Sequence, residues 1–141
     1  MKVSDVMTFG VASVSPDTLL ANAARTLLDH RISSMPVVDT DGMLVGIITE
    51  GDVLREVASR PKHPAGSHSE PVELGEILSS TRVEQVMTSQ VESVERDTSV
   101  EAAIELLIRK GVRALPVCLR GQVVGMFSRS DIIRFLLEAS R

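Results

Sequence analysis

Two short motifs place a hydroxyl three residues before a carboxylate, where an apolar run gives way to a helical pattern. They are Thr49-x-x-Asp52 and Ser128-x-x-Asp131. At a helix start, free backbone N–H groups and the helix dipole favour an anion. A carboxylate held there can accept hydrogen bonds from a ribose 2′,3′-diol, and the hydroxyl and amides can receive a phosphate. The same spacing also describes a capping pattern that only satisfies the free amides of the helix, and this interpretation stays open.

The charges around the two motifs differ. The second motif contains Arg129, and Arg113 stands three residues before Pro116, with Lys110 nearby. The matching positions of the first motif hold Glu50 and Ser33, with His30 and Arg31 upstream. Arginine pairs bidentately with phosphate, whereas a glutamate repels it. We therefore expect the second motif to serve a phosphorylated ligand and the first an uncharged or cationic one, or none. Ordinary exposed charges at helix starts are the alternative.

The elements that position these motifs occur twice, because the chain contains an internal repeat. The segment Val3–Val57 is matched by Val83–Leu136. Matching residues are 80 positions apart up to Pro36 and Pro116, and 79 positions apart after these prolines. Val6-Met7-Thr8, for example, matches Val86-Met87-Thr88. A repeat of this length suits a small supersecondary unit used twice rather than a solenoid.

Each copy predicts the element order β-α-β-β-α. Helical spacing of apolar residues predicts a first helix starting at Asp17 or Thr18, and Thr98 with Glu101 reads as a capping box in the second copy. The predicted strands are 11–14, 35–38 and 44–49, then 91–94, 115–119 and 123–128, with turns at Asp41-Gly42 and Arg120-Gly121. The second helices are predicted over 51–58 and 130–139.

The stretch 59–81 between the copies is predicted to be a linker. Its first half is rich in Pro, Gly and Ser and reads as a loop, whereas 72–78 can form one short helix. His63 and His68 lie in the loop, and we interpret them as solvated rather than as metal ligands. Cys118 falls in a predicted buried strand and reads as an inert core thiol.

Composition excludes several classes of protein. The net charge of −4 and the 2% aromatic content argue against nucleic-acid binding, which needs clustered cations and often aromatic stacking. The apolar runs are short, so no transmembrane helix is expected, and the N-terminus lacks a signal-like apolar stretch, so we expect a cytoplasmic protein. A single cysteine excludes an internal disulfide.

The ordered motifs resemble a known family. V-x-x-V-M-T, then a helix, then S-x-M-P-V-V-D and D-G-x-L-V-G-I-I-T-x-x-D resemble the cystathionine β-synthase (CBS) domain, and two in tandem resemble a Bateman module. The resemblance implies clefts between the domains that bind adenosine-containing ligands such as AMP, ADP, ATP, NAD or S-adenosylmethionine. It also implies dimerisation into a flat disc.

The resemblance implies roles for individual residues. Asp52 and Asp131 would bind ribose, and Thr49 and Ser128 would contribute hydroxyl contacts. An adenine slot would be lined by Val11, Met35, Pro36, Val91, Leu115 and Pro116, and Thr8 and Thr88 would reach the cleft. Plain core packing of the apolar residues, and turn capping by the two threonines, are the alternatives.

We therefore expect an α+β fold of two β-α-β-β-α repeats packed sheet to sheet about a pseudo-two-fold axis. The expected domains are residues 1–58 and 82–141, joined by the linker 59–81. The expected function is a non-catalytic regulatory module that senses an adenosyl effector and needs no metal or resident cofactor. Its other expected partner is an unidentified effector protein; membranes and nucleic acid are not expected.

The second helices carry apolar faces, from which we expect a homodimer: Val53, Leu54, Val57, Ile132, Ile133, Leu136 and Leu137. A ligand-free structural dimerisation module is the principal alternative function, and an enzyme acting on nucleotides is a third.

Overall fold

The computed structural model describes residues 1–60 and 71–140. Its helices are α1 (Leu20–Asp29), α2 (Glu50–Ser59), α3 (Pro71–Ser80), α4 (Val100–Lys110) and α5 (Arg129–Ala139). Its strands are β1 (Thr8–Phe9), β2 (Ser34–Val38), β3 (Leu44–Thr49), β4 (Val94–Glu95), β5 (Ala114–Leu119) and β6 (Gln122–Ser128). The predicted loop and the two histidines at positions 63 and 68 lie outside the described residues.

The chain forms two compact units. The first comprises Met1–Val11, Asp41–Leu44 and Val91–Arg141, and the second comprises Ala12–Thr40 and Val45–Gln90. Each unit therefore combines most of one repeat with the leading segment of the other. We call residues 1–11 the first arm and residues 81–90 the second arm.

The first unit is built on a four-stranded sheet of order β1-β6-β5-β4. β6 runs antiparallel to both β1 and β5, whereas β4 runs parallel to β5. The sheet packs against α4, which buries Val100, Ala103 and Leu107 along one face at helical spacing. Phe127 is fully buried in this core.

The second unit is built on the strand pair β2-β3. Its core contains the matching face of α1, where Leu20, Ala23 and Leu27 are buried, together with Met35 and Ile48 from the two strands. The helix α3 also belongs to this unit, which confirms the helix predicted in the linker.

Backbone hydrogen bonds attach each arm to the other repeat rather than to the one that directly follows it. In the first unit, Val3 N–H donates to the Thr98 carbonyl at 2.8 Å and Ser4 N–H to the Arg96 carbonyl at 2.9 Å. The corresponding amides of the second arm donate in the second unit to the carbonyls of Thr18 and Pro16, both at 2.9 Å. Val3 and Val83 are fully buried as a result, so each arm completes the core of its unit.

A glycine lets each arm approach its sheet closely. A Cβ at Gly125 would clash with the Thr8 carbonyl oxygen and the Met7 methyl group. A Cβ at Gly46 would lie 2.6 Å from the Met87 sulfur and 3.0 Å from the Thr88 carbonyl oxygen. The close approach is strictest at Gly125, where the clash is with backbone, whereas at Gly46 the nearest atom belongs to the flexible Met87 side chain.

Several local predictions are wrong by a few residues. α1 begins at Leu20 rather than at residue 17 or 18. The predicted capping box of Thr98 and Glu101 is wrong, because Ser99 is the N-cap and accepts from the Ala102 N–H at 3.1 Å. The Thr98 hydroxyl instead accepts a hydrogen bond from the Glu95 N–H at 3.2 Å, which shapes the turn before the helix.

The predicted first strands are also displaced. The strand expected over 11–14 is absent from the described residues, since only Val14 forms an isolated bridge there, with Val37. The strand expected over 91–94 is β4, which covers Val94–Glu95. Apolar residues predicted both strands, but the backbone has a parallel partner only at their last positions. The turns at Gly42 and Gly121 are confirmed, with φ of 78° and 84°.

Candidate ligand-binding site

Both hydroxyl–carboxylate motifs form capping boxes at the start of a second helix. In the second unit, Thr49 Oγ1 accepts from the Asp52 N–H at 3.0 Å, and Asp52 Oδ2 accepts from the Thr49 N–H at 2.9 Å. In the first unit, Ser128 Oγ and Asp131 Oδ2 do the same at 3.1 and 2.9 Å. The capping interpretation therefore describes the local geometry correctly, and it engages Oδ2 of each carboxylate.

The other oxygen of each carboxylate is held by side chains instead. Asp131 Oδ1 accepts from the Thr8 hydroxyl at 2.9 Å and from Arg134 Nη1 at 3.3 Å. Asp52 Oδ1 accepts from Arg55 Nη2 at 2.7 Å. The two aspartates are only 5% and 7% exposed, whereas the arginine side chains are 63% and 73% exposed. The arginine partner of each Oδ1 is therefore largely exposed to solvent, whereas Oδ2 is engaged in the helix cap.

The charges that distinguish the two motifs lie directly beside them. Arg129 N–H donates to the Arg113 carbonyl at 3.0 Å, which places the two arginines on adjacent backbone segments of the first unit. The matching bond in the second unit joins Glu50 N–H to the Ser33 carbonyl, also at 3.0 Å. The Arg129 side chain is itself anchored through Nε, which donates to the Val112 carbonyl at 3.2 Å.

The fourteen predicted site residues divide between the units. The first unit contains Thr8, Val11, Val91, Arg113, Leu115, Pro116, Ser128, Arg129 and Asp131. The second contains Met35, Pro36, Thr49, Asp52 and Thr88. In the second unit, Thr88 pairs through its backbone with Ile47, at 2.9 and 3.0 Å, and its side chain is exposed.

The predicted lining residues differ in exposure. Val11 and Val91 are partly exposed, whereas Met35 and Leu115 are buried in the hydrophobic cores of their units. Pro36 is also buried, and its carbonyl accepts from the Val14 N–H at 3.2 Å. Burial of this kind is what core packing predicts, so an adenine-lining role for these residues stays a prediction.

Two arginines at the site were missed by the sequence interpretation. Arg55 and Arg134 each follow their aspartate by three residues, and that spacing places two side chains on the same face of a helix. The D-x-x-R pattern is visible in both copies and could have identified the pair. The pattern was not recognised because charged side chains near the start of a helix usually face solvent.

The described residues contain no cluster of metal-ligating side chains. Within residues 1–60 and 71–140, no cluster of three or more His, Cys, Asp or Glu could hold a metal ion. Cys118 is buried, as predicted, and desolvation raises the pKa of its thiol above the ordinary value. In the same part of the chain, no helix has the length and apolar character needed to cross a bilayer.

Comparison with known proteins identifies the family. The CBS domain family matches residues 3–59 and 83–138. The chain belongs to this family. Its α+β fold is that of CBS domain pairs, and the tandem CBS arrangement predicted from the repeat is confirmed.

Relatives of known sequence differ in length. An uncharacterized 17.7 kDa protein of Acidianus ambivalens is 31% identical over 138 residues, which cover 97% of this chain and 74% of that protein. The homoserine O-acetyltransferase of Methanohalobium evestigatum is 29% identical over 137 residues, but the chain spans only 24% of its length. CBS pairs of this type therefore occur both in short proteins and within longer ones.

Two similar structures contain adenosyl compounds. CBSX2, a CBS-pair protein of Arabidopsis thaliana, was solved in complex with AMP; it is 26% identical, has a TM-score of 0.82, and 99% of each chain is covered. The CBS domain pair of protein MJ0100 was solved in complex with 5′-methylthioadenosine and S-adenosyl-L-methionine. It is 25% identical, with a TM-score of 0.78 over 96% of this chain and 99% of that one.

Proposed function

We propose that this chain is a non-catalytic regulatory module that binds an adenosyl effector at the first turns of α2 and α5. The observation that carries the proposal is the arrangement of the two aspartates. In each aspartate, Oδ2 accepts the hydrogen bond of the helix cap, whereas Oδ1 accepts from a side chain that the ligand would replace. The AMP and S-adenosylmethionine complexes of two similar CBS pairs support an adenosyl ligand. The ribose hydroxyls would donate to Oδ1.

The charge pattern supports different ligand preferences for the two motifs. Arg129 and Arg113 would bind the phosphate of AMP or ATP in the first unit, since a guanidinium hydrogen-bonds a phosphate strongly. Glu50 would disfavour phosphate at the motif of the second unit, which would take an uncharged or cationic adenosyl group such as S-adenosylmethionine.

Binding would act on a partner through a change of conformation. An effector shifts a conformational equilibrium only by its difference in affinity for the two states. The first arm supports such a link, because Thr8 donates to Asp131 Oδ1, the oxygen that a ribose would use. We propose that the module is cytoplasmic and that binding of the adenosyl ligand changes its interaction with an unidentified partner protein.

A thermal-shift panel of AMP, ATP, adenosine, NAD and S-adenosylmethionine tests the proposal. A ligand that binds the folded protein raises the melting temperature in step with the logarithm of its concentration. We expect at least one adenosyl ligand to do so, and the Asp52→Asn/Asp131→Asn double variant to lose the response. A wild-type melting temperature that no compound changes at any concentration would refute the proposed function.

Titrations of AMP and adenosine test the charge assignment. Arg129→Ala should weaken AMP binding by roughly threefold to tenfold and leave adenosine unchanged, because an exposed guanidinium contributes modestly. Glu50→Arg should strengthen AMP binding at the other motif. Unchanged AMP affinity in both variants would contradict the assignment.

A structural dimerisation module without a ligand is the second candidate. It is favoured by the exposed apolar side chains of α2 and α5: Leu54, Ile133, Leu136 and Leu137 are 69%, 58%, 56% and 64% exposed. We propose that these helix faces form a homodimer in either case. Light scattering should give twice the chain mass, and Ile133→Lys/Leu137→Lys should give a monomer. A monomeric wild type would count against the dimer.

A further inference from the structure

The two candidate carboxylates differ in how tightly an arginine holds them. The Arg55 guanidinium lies 2.7 Å from Asp52 Oδ1, a short charge-assisted contact. The corresponding distance from Arg134 to Asp131 Oδ1 is 3.3 Å. Both arginines stand three residues after their aspartate, so the difference does not come from sequence spacing.

The residue before each aspartate also differs between the repeats. At Gly51, a Cβ would lie 3.0 Å from Arg55 Nη1 and 3.4 Å from Nη2. The Arg55 guanidinium therefore rests against the bare backbone of the first helical turn. The matching residue of the other repeat is Ser130, which carries a side chain where Gly51 has none.

The closest partner of each Oδ1 also differs in charge. Thr8 donates to Asp131 Oδ1 at 2.9 Å, so this oxygen has a neutral partner besides Arg134. Among the described residues, Thr88 makes no corresponding hydrogen bond to Asp52, whose Oδ1 is held by Arg55. An uncharged hydroxyl is a weaker competitor for a carboxylate than a guanidinium at short range.

We propose that Arg55 competes with ribose hydroxyls for Asp52 Oδ1. The Asp52 motif therefore binds adenosyl ligands more weakly than the Asp131 motif. This inference rests on the proposed function. Gly51 sets the strength of the competition because it admits the guanidinium to the first turn. Arg55 is largely exposed, so it can leave the carboxylate, and the competition is partial rather than complete.

Isothermal titration calorimetry with adenosine tests the inference, because an uncharged ligand separates competition for Oδ1 from phosphate binding. Asp131→Asn leaves the Asp52 motif as the only ribose acceptor. In that background, Arg55→Ala should strengthen adenosine binding by roughly threefold to fivefold, the range expected for a largely exposed ion pair. The matched control, Arg134→Ala in an Asp52→Asn background, should change adenosine affinity by less than about twofold.

A second variant changes the contact without removing the charge. Gly51→Ser, again with Asp131→Asn, should strengthen adenosine binding in the same direction, since its Cβ displaces the Arg55 guanidinium. High salt should narrow the difference in adenosine affinity between the Asp131→Asn protein with and without Arg55→Ala, because exposed ion pairs are screened.

The variants at the two motifs distinguish the failures. One outcome would overturn the inference and leave the proposed function intact. In it, Asp52→Asn binds adenosine, but neither Arg55→Ala nor Gly51→Ser strengthens adenosine binding in the Asp131→Asn background. A loss of adenosine affinity in Arg55→Ala would also overturn it, because Arg55 would then be a ligand contact rather than a competitor. Absence of adenosyl binding in the wild type and in every variant would overturn both.

Discussion

Gly125→Ala should release the first arm from its sheet. β1 pairs with β6 so that Phe9 lies opposite Gly125 and Thr8 opposite Met126. The new methyl group would clash with the Thr8 carbonyl oxygen, which is backbone and cannot rotate away. The arm must therefore shift or detach.

The magnitude has an upper and a lower bound. Overpacking a well-packed site costs about 1–3 kcal/mol when the structure can adjust. Complete release of the arm would expose Val3 and Met7, now 0% and 8% exposed, and burial of each is worth roughly 1.5–3 kcal/mol. We expect a loss of about 2–3 kcal/mol in the free energy of unfolding.

Gly46→Ala is the matched control, because it occupies the same position in the other repeat. Its methyl group would meet the Met87 sulfur at 2.6 Å, the end of a flexible side chain, and the Thr88 carbonyl oxygen at 3.0 Å. Met87 can rotate, so we expect a smaller loss of about 1 kcal/mol. Gly75→Ala lies in α3 with nothing within 4 Å of the new methyl and should stabilise by up to about 1 kcal/mol.

Urea unfolding followed by far-ultraviolet circular dichroism measures the three variants. With a urea m value of about 1–3 kcal/mol per molar, Gly125→Ala should lower the midpoint by about 1 M. Hydrogen exchange identifies the segment released: the Val3 and Ser4 amides, bonded to Thr98 and Arg96, should exchange faster in Gly125→Ala but not in Gly46→Ala. Equal stability of Gly125→Ala and the wild type, or a larger loss in Gly46→Ala, would refute the reasoning.

Three further predictions concern buried and hydrogen-bonded groups. Phe127→Ala should cost about 3–5 kcal/mol in urea unfolding because the ring is fully buried; a loss under about 1 kcal/mol would contradict this. Burial raises the pKa of the Cys118 thiol, so iodoacetamide should alkylate it slowly in the folded protein and rapidly in urea. Equal rates would contradict the burial. A hydrogen bond from the Ser15 hydroxyl and, as a smaller effect, one from the Asp17 backbone amide lower the pKa of the Asp17 carboxyl. The stabilisation from this carboxylate is therefore present above its unfolded pKa and is lost as pH falls through the folded value. Ser15→Ala should raise the Asp17 pKa in an NMR titration, and an unchanged value would show that the hydroxyl is not the cause.

The second helices show how much local sequence can determine. The sequence predicted them over 51–58 and 130–139, and they cover Glu50–Ser59 and Arg129–Ala139. The hydroxyl–carboxylate spacing also predicted both caps correctly. These features depend on residues three or four apart, whose geometry a helix fixes by itself.

The site was only partly predictable for the same reason. The charge difference between Arg129 and Glu50 can be read from the sequence. In the structure, the Arg129 amide donates to the Arg113 carbonyl and the Glu50 amide to the Ser33 carbonyl, so each charged residue lies beside its motif. The D-x-x-R pattern is visible in both copies, but the 2.7 and 3.3 Å distances that distinguish the two arginine contacts are not. That comparison requires the positions of the guanidinium atoms.

The sequence alone determined the duplication, the order of elements from the first helix onward in each copy, and the residues that start the second helices, because these follow from short-range periodicity and capping. Only the tertiary structure decided that Val3 completes the core around Phe127 and that Val83 completes the core around Ile48. Thr8 reaches Asp131 for the same reason, across 123 residues of chain. The two arms have similar apolar patterns. Backbone hydrogen bonds and close packing at Gly46 and Gly125 join each arm to residues of the other repeat, and no local pattern records contacts between residues so far apart in the sequence.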